Sequence, residues 1–271
     1  MISWIGGKSR ISGKLIIPNM PKDMESYTEC FGGAYWNFLK MKDIYPSLKT
    51  VVYNDFNTYL VNLFTCAKDH KNLYNTLLNY KSQDKDLFNR FQKELYSDMD
   101  HQNLIIPDYD VAAKFAYLIT QVFSGTNPTT GKFIDLKGKY KSKYDTFIDK
   151  MMDPKYTNRL DKITNIENLD FEELLIKYDG ENTFHYIDAP YYGCETYYSS
   201  NEFGLKDHER LYNCLKDIKG KFAMSYYYFP QLSEWFPKEK YNWISMDFHK
   251  AAAAKSGKKQ TKGTELLIMN Y

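Results

Sequence analysis

Short apolar runs that stop at turn residues alternate along this chain with stretches of helical period. The run 27–30 reads as a strand that enters Gly32-Gly33, and a helix follows from about Ala34 to Met41. The run 50–53 reads as a second strand, closing on Asn54-Asp55-Phe56-Asn57 before a helix that carries Leu60, Val61 and Phe64. From 62 to 159 the pattern becomes helical. Leu73, Leu77 and Leu78 mark one helix, Leu87, Phe88, Phe91 and Leu95 a second, and residues 111–119 a third. Residues 123–133 then carry hairpin chemistry at Asn127-Pro128 and Thr130-Gly131. Strand signals return at 163–166, 183–187, 222–226, 243–244 and 266–269. Between them lie helices opened by Asp170-Phe171 and marked by His208, Leu211, Leu215 and Ile218. The alternation predicts an α/β fold interrupted by a mostly helical insertion.

Composition narrows the class. The 271 residues are 43% hydrophobic and 17% aromatic, with 25 tyrosines, enough for a large core and for stacking surfaces with polar tips. A net charge of +2 means that any basic surface is local. Cys30, Cys66, Cys194 and Cys214 form no CxxC pair, so neither a metal site nor a disulfide framework is expected, and a reducing cytoplasm fits. Leu15-Ile16-Ile17 is cut short by Pro18, and no membrane span or leader is expected.

The stretch His185-Tyr186-Ile187-Asp188-Ala189-Pro190-Tyr191-Tyr192 ends a buried strand on an acid, a proline-stiffened turn and an aromatic pair. Pro190 confines Ala189 to extended geometry, so the carbonyls there have a fixed direction. A carboxylate, a fixed carbonyl and an aromatic face suit a planar ring with an exocyclic amine, such as a nucleobase turned out of a helix. A plain strand-ending turn is the alternative. Ser3-Trp4-Ile5-Gly6-Gly7-Lys8 offers a flat face, close backbone approach and a cation, or a simple glycine turn with solvated charges. Glu29-Cys30-Phe31-Gly32-Gly33 has the strand, glycine loop and helix order of a nucleotide-binding unit without the full GxGxxG, so a cofactor with an amino-acid tail and a ribose fits. Asp55 stands about 20 residues further on, where an acid accepts ribose hydroxyls, although Asp55 or Asn57 could simply cap the next helix. Lys137-Gly138-Lys139-Tyr140-Lys141-Ser142-Lys143 has no acid and suits phosphate contacts, or a solvated loop. The long basic stretch 249–263 reads as a nucleic-acid-contacting flap.

Taken together, Trp4-Ile5-Gly6-Gly7-Lys8, Glu29-x-Phe31-Gly32-Gly33-Ala34, Asn54-Asp55-x-Asn57, Asp170-Phe171, Asp188-x-Pro190-Tyr191-Tyr192-Gly193 and Glu265-Leu266-Leu267-x-x-Asn270-Tyr271 resemble, in order and content, the Dam-like, alpha-group adenine-N6 DNA methyltransferases. The resemblance covers nearly the whole chain and is loosest over the insertion. It implies a Rossmann-like methyltransferase fold, with a mixed sheet, helices on both faces and an inserted, mostly helical module with a β-hairpin, S-adenosylmethionine as cofactor and double-stranded DNA as partner. A catalytic domain of 1–61 and 157–271 would surround a target-recognition module of 62–156. Trp4, Lys8, Phe31, Gly32 and Gly33 would line the methionine end of the cofactor, Asp55 its ribose, and Asp170 and Phe171 its adenine. Asp188 and the carbonyl of Ala189 would accept the target amine hydrogens beside Pro190, and Tyr191 would stack on the base. Asn127 and Lys132 in the hairpin, with Lys137, Lys139, Lys141, Lys258 and Lys259, would contact DNA. The protein would be a monomer in solution able to dimerise on DNA, in the cytoplasm of a bacterial or phage-infected cell.

Two accepting groups at the amine favour a pyramidal nitrogen whose lone pair is free to attack, and orientation supplies up to roughly 7–11 kcal/mol. The chain has Ala189 where the family's Asp-Pro-Pro-Tyr has proline, which removes one fixed φ but leaves the carbonyl. A cytosine-N4 methyltransferase and a weakly catalytic DNA-binding homologue are the alternatives. The reading requires Asp188 to stand near residues 31–33 and fails if the carboxylate is turned inward against a neighbouring positive side chain.

Overall fold

The computed structural model describes residues 2–4, 6–41, 45–98, 104–122, 128–193, 203–249 and 262–271. Its strands are β1 (Ser26–Glu29), β2 (Thr50–Asn54), β3 (Asn165–Glu167), β4 (Thr183–Ile187), β5 (Lys221–Tyr226), β6 (Asn242–His249) and β7 (Lys262–Met269). They form one sheet in the order β3-β2-β1-β4-β5-β7-β6. β4 runs parallel to β1 and β5, while β7 is antiparallel to β5 and β6. The sheet is therefore mixed, as the family resemblance implies. Chain order reverses between β1 and β4. Connections leaving the carboxyl ends of two such strands diverge and open a crevice, the usual ligand position in an open α/β sheet.

The helices are α1 (Trp36–Lys40), α2 (Thr58–Lys68), α3 (His70–Leu77), α4 (Lys85–Lys93), α5 (Tyr109–Thr120), α6 (Lys143–Lys150), α7 (Pro154–Leu160), α8 (Phe171–Tyr178), α9 (Leu205–Lys216) and α10 (Pro230–Trp235). Most begin on a side chain that takes an orphan N–H. Asn57 caps α2, Asp84 α4, Asp108 α5, Ser142 α6, Asp153 α7 and Asp170 α8. Among the described residues, no helix is long and apolar enough to cross a membrane.

Contacts divide the chain into two compact units. One comprises 1–7, 33–39 and 53–168. Its centre is α5, buried from Val111 to Thr120. Phe115 stacks on Tyr59 with centroids 5.5 Å apart, and Tyr117 meets Phe91 at 5.3 Å and Tyr144 at 4.8 Å. The Tyr117 hydroxyl ties down the loop before α4 by donating to the carbonyls of Lys81 and Asp84. The other unit comprises 8–32, 40–52 and 169–271. Its core joins Leu174 and Leu175 of α8, Leu211 and Leu215 of α9 and Leu232 of α10 to Phe222, Met224 and Tyr226, alternate residues of β5 that face the same side.

Local conformation explains where elements depart from the sequence pattern. α1 starts at Trp36 rather than near Ala34, because Gly33 (φ 49°) and Tyr35 (φ 54°) are left-handed and cannot belong to a right-handed helix. The third strand spans Asn165–Glu167, two residues later than the apolar run begins. The lysine run does not form a hairpin arm in the described residues. Lys137 and Gly138 turn with positive φ, and Lys143 already begins α6, whose buried Tyr144 and Phe147 were masked in the sequence by the surrounding lysines. The hairpin expected at 123–133 is closed by a single antiparallel bridge, Val122 to Phe133, and residues 123–127 lie outside the described residues.

Candidate active site

β4 is buried at every position and ends at Ile187, which places Asp188 at the carboxyl edge of the sheet. Register fixes its neighbour. Glu29 pairs with Tyr186, and the Cys30 N–H continues the ladder to the Tyr186 carbonyl at 3.3 Å. Two residues beyond that pair, Phe31 and Asp188 leave the adjacent strands β1 and β4 at the same level, at the switch point.

Asp188 is turned onto Lys8. The ammonium lies 2.7 Å from Asp188 Oδ1 and 3.6 Å from Glu265 Oε1. Lys8 also stands over the Tyr191 ring, 4.8 Å from its centroid. The Tyr191 hydroxyl donates to Glu265 Oε1 and lies 3.3 Å from Asp188 Oδ1. This is the inward turn against a positive side chain on which the site reading was to fail; the cation is Lys8, which the resemblance places at the cofactor. Lys8, Tyr191 and Glu265 are buried, and Asp188 keeps 17% of its side-chain surface exposed. Burial opposes the Lys8 charge, but Asp188 and Glu265 outweigh it and hold the lysine above its usual pKa. Two carboxylates share this one cation in a sheltered place, so burial pushes both Asp188 and Glu265 upward.

The motif's backbone is fixed from behind. Ala189 is buried, and the Pro190 carbonyl accepts the Tyr226 hydroxyl at 3.3 Å. Tyr226 in turn bonds His208 Nδ1. Tyr191 packs against Tyr226 and Tyr227, with centroids 5.2 and 4.4 Å away. Tyr192 is 44% exposed and stacks on Phe229 at 4.9 Å.

Phe31, Phe171 and Phe203 form an aromatic group, with Phe31 5.7 Å from Phe171 and 5.9 Å from Phe203. Asp170 caps α8 through the Glu172 N–H, and the same Oδ1 accepts from Arg210 at 2.8 Å. Arg210 also binds Glu172 and Asp207 and lies 4.8 Å over the Phe171 ring. Three carboxylates fix this guanidinium, which raises its pKa further.

In the other unit, Trp4, Gly33 and Asp55 come together. Gly33 donates its N–H to Asp55 Oδ2 at 2.8 Å, and its carbonyl accepts the Tyr53 hydroxyl at 3.0 Å. Asp55 Oδ1 accepts the Asn57 N–H, while Asn57, not Asp55, caps α2. A Cβ on Gly33 would lie 3.1 Å from Trp4 Cδ1 in addition to being strained by its φ. Asn168 clamps the strand end by donating to the carbonyls of Asp55 and Phe56. Burial pushes the Asp55 carboxyl up to about 6, against the two N–H bonds.

Of the lysines expected on DNA, Lys132, Lys137, Lys139 and Lys141 are exposed, and Lys141 is paired with Asp149. Asn127, Lys258 and Lys259 lie outside the described residues. Two residues that meet predicted site residues had been given no role. One is Glu265, whose signal is a lone acid beside the apolar run Leu266-Leu267-Ile268-Met269. The other is Arg210, whose partners are distant in sequence and left no local signal.

A mixed α/β sheet with an acid and an aromatic at its switch point defines a class of ligand-binding enzyme. The family model for D12 class N6 adenine-specific DNA methyltransferase matches residues 4–250, and the chain belongs to that family. The class is S-adenosylmethionine-dependent and methylates adenine N6 in DNA, which removes support from the cytosine-N4 alternative. Among curated proteins, none matches the chain.

Proposed function

We propose that the chain methylates adenine N6 at a specific DNA sequence and that Asp188, Ala189, Pro190 and Tyr191 carry the reaction. The observation that supports this most is the level placement of Phe31 and Asp188 at the switch point, with Tyr191 fixed beside the acid.

The residues fit the cofactor. Asp55 has taken two backbone N–H bonds, and a carboxylate has about four acceptor positions, which leaves room for a ribose diol. The left-handed Gly33 keeps backbone close without a side chain in the way. Phe31 and Phe171 supply faces for an adenine, with Asp170 beside them. Trp4, Lys8 and Gly32 complete the proposed set toward the amino-acid end. When bound, the cofactor supplies an electrophilic methyl group on a sulfonium.

The chain's own groups do the rest. Asp188 takes one hydrogen of the amine and the Ala189 carbonyl the other, which turns the nitrogen lone pair toward the methyl. The cofactor, held by the residues named above, would supply the methyl group to that nitrogen and would keep the electron pair of its sulfur–carbon bond. The surplus amine proton passes to Asp188, whose sheltered carboxylate is disposed to accept it. Tyr191 supports the base, and the burial of the motif keeps water out.

Residues 62–156 would form the target-recognition module, with Asn127, Lys132, Lys137, Lys139 and Lys141 on DNA and Lys258 and Lys259 on a second segment. We take the protein to be a monomer that can pair on DNA and to work in the cytoplasm of a bacterial or phage-infected cell. Long-read sequencing of DNA from cells expressing the chain would show N6-methyladenine at one motif. Asp188→Ala should abolish that mark while gel-shift binding to the same duplex persists. Methylation undiminished in Asp188→Ala would overturn the assignment.

A further inference from the structure

Asp188 holds Lys8 through Oδ1, which is also the oxygen nearest Tyr191, so an amine seated on that side of the carboxylate competes with the ammonium. A buried ammonium that gives ground at Asp188 is held best where a second acid stands ready. The second carboxylate solves this problem. Glu265 on β7 is 2% exposed, accepts the Tyr191 hydroxyl and lies 3.6 Å from the Lys8 ammonium. The short turn Lys8–Arg10 carries Lys8, so a small movement of a long side chain moves the cation from one acid to the other.

We propose that Glu265 is a positioning residue for methyl transfer: it takes over Lys8 as Asp188 turns to the target amine, and it holds the Tyr191 ring in place while that exchange occurs. The inference rests on the role given to Asp188 above. It also gives the buried acid a reason to exist, since an apolar residue at position 265 would cost less to bury. With Lys8 charged and both acids ionised, the cluster carries one surplus negative charge. That surplus suits a reaction whose donor and newly methylated amine are both cationic. The remaining groups near the cluster are Tyr186, Tyr227 and Glu29. The Tyr186 hydroxyl is engaged with Ser225, and Glu29 accepts the Tyr27 hydroxyl, so neither of these replaces Glu265.

The test uses the full chain and the duplex identified by sequencing, with adenine or purine, which lacks the amine, at the target position. Glu265→Gln keeps the volume and an oxygen acceptor for Tyr191 but loses the charge. Lys8 then stays on Asp188. Single-turnover transfer should fall by roughly tenfold or more, while affinities for S-adenosylhomocysteine and for the purine duplex stay within about twofold. The preference for adenine over purine in DNA binding, measured without any turnover, should shrink with it. Glu265→Asp keeps the charge and should retain that preference and more of the rate than Glu265→Gln. The proposal is overturned by a Gln variant with wild-type rate, by a slow Gln variant that still prefers adenine, or by an Asp variant as impaired as the Gln variant. If the Gln variant does not fold, the Asp variant decides: a folded Glu265→Asp without the adenine preference overturns the proposal. A wild type that leaves DNA unmethylated, or an active Asp188→Ala, would instead remove the role of Asp188.

Discussion

Tyr226 donates its hydroxyl to the main-chain carbonyl of Pro190, and the distance is 3.3 Å. The same hydroxyl meets His208 Nδ1. A phenol has one hydrogen, so both contacts hold together when His208 carries its proton on Nδ1 and donates to the phenol oxygen. The pair fixes the peptide that follows Pro190, immediately after the position where the family has proline and this chain has Ala189. Tyr226→Phe should therefore slow transfer by roughly three- to tenfold, the worth of one hydrogen bond to a positioned carbonyl. In an Ala189→Pro background the penalty should be smaller, because the ring restores part of the rigidity. Single-turnover rates of the four proteins form the cycle. Equal penalties in both backgrounds would show that Tyr226 does not compensate for Ala189.

The Asp55 carboxyl gives a pH dependence with a definite sign. Burial raises its pKa to about 6 in the free protein, and the ionised form is the one that accepts ribose hydroxyls. Cofactor affinity should be nearly flat above pH 7 and should fall as pH drops through 6, by about tenfold between pH 7 and pH 5. Titration calorimetry with S-adenosylhomocysteine would follow it. Asp55→Asn should bind weakly at both pH values and lose the slope.

Most of the frame was legible because it depends on short local patterns. The strand ending on Asp188, the glycine turn after β1 and the strand end at Asp55 all stand as the sequence placed them. At Asp55 the two readings have separated physically: Asn57 caps α2, which leaves the Asp55 carboxylate to the glycine turn. What stayed hidden depends on tertiary partners. Glu265 looked like a motif letter until Tyr191 and Lys8 were placed beside it. Arg210 is 40 residues from Asp170. Helices α6 and α7 were obscured because they are short and mostly polar, with only Tyr144, Phe147 and Leu160 as large buried apolar residues.

Gly220 supplies a stability test away from the chemistry. It opens β5, gives its N–H to Asp179 Oδ1 at 2.9 Å and accepts from Asn270 at 3.0 Å. A Cβ there would lie 2.7 Å from the Thr183 carbonyl oxygen and 3.0 Å from that of Gly180. Both are backbone atoms and cannot swing aside. Gly220→Ala should cost about 1–3 kcal/mol in urea unfolding, the usual range for overpacking a closed site. Gly13→Ala, where an added Cβ meets nothing within 4 Å, is the control and should unfold near the wild-type midpoint.

The exposed lysines divide into two kinds, and DNA binding should tell them apart. Lys141 is paired with Asp149, whereas Lys137 and Lys139 lie on a turn held by the Lys137 N–H to the Asp135 carboxylate and the Lys139 N–H to the Leu136 carbonyl. A lysine that neutralises a phosphate contributes about 0.9 to the slope of log affinity against log salt. Lys137→Ala and Lys139→Ala should each flatten that slope by about this amount and weaken binding to specific and unrelated duplexes alike. Lys141→Ala should flatten it less, because Lys141 must first leave Asp149, and the uncovered acid then repels the backbone in the variant as well. Asp149→Asn separates the two effects: it frees Lys141 and should steepen the slope. Fluorescence anisotropy between 50 and 200 mM salt, the range over which such contacts are resolved, measures all four variants. Slopes unchanged in Lys137→Ala and Lys139→Ala would place the phosphate-binding surface elsewhere on the chain.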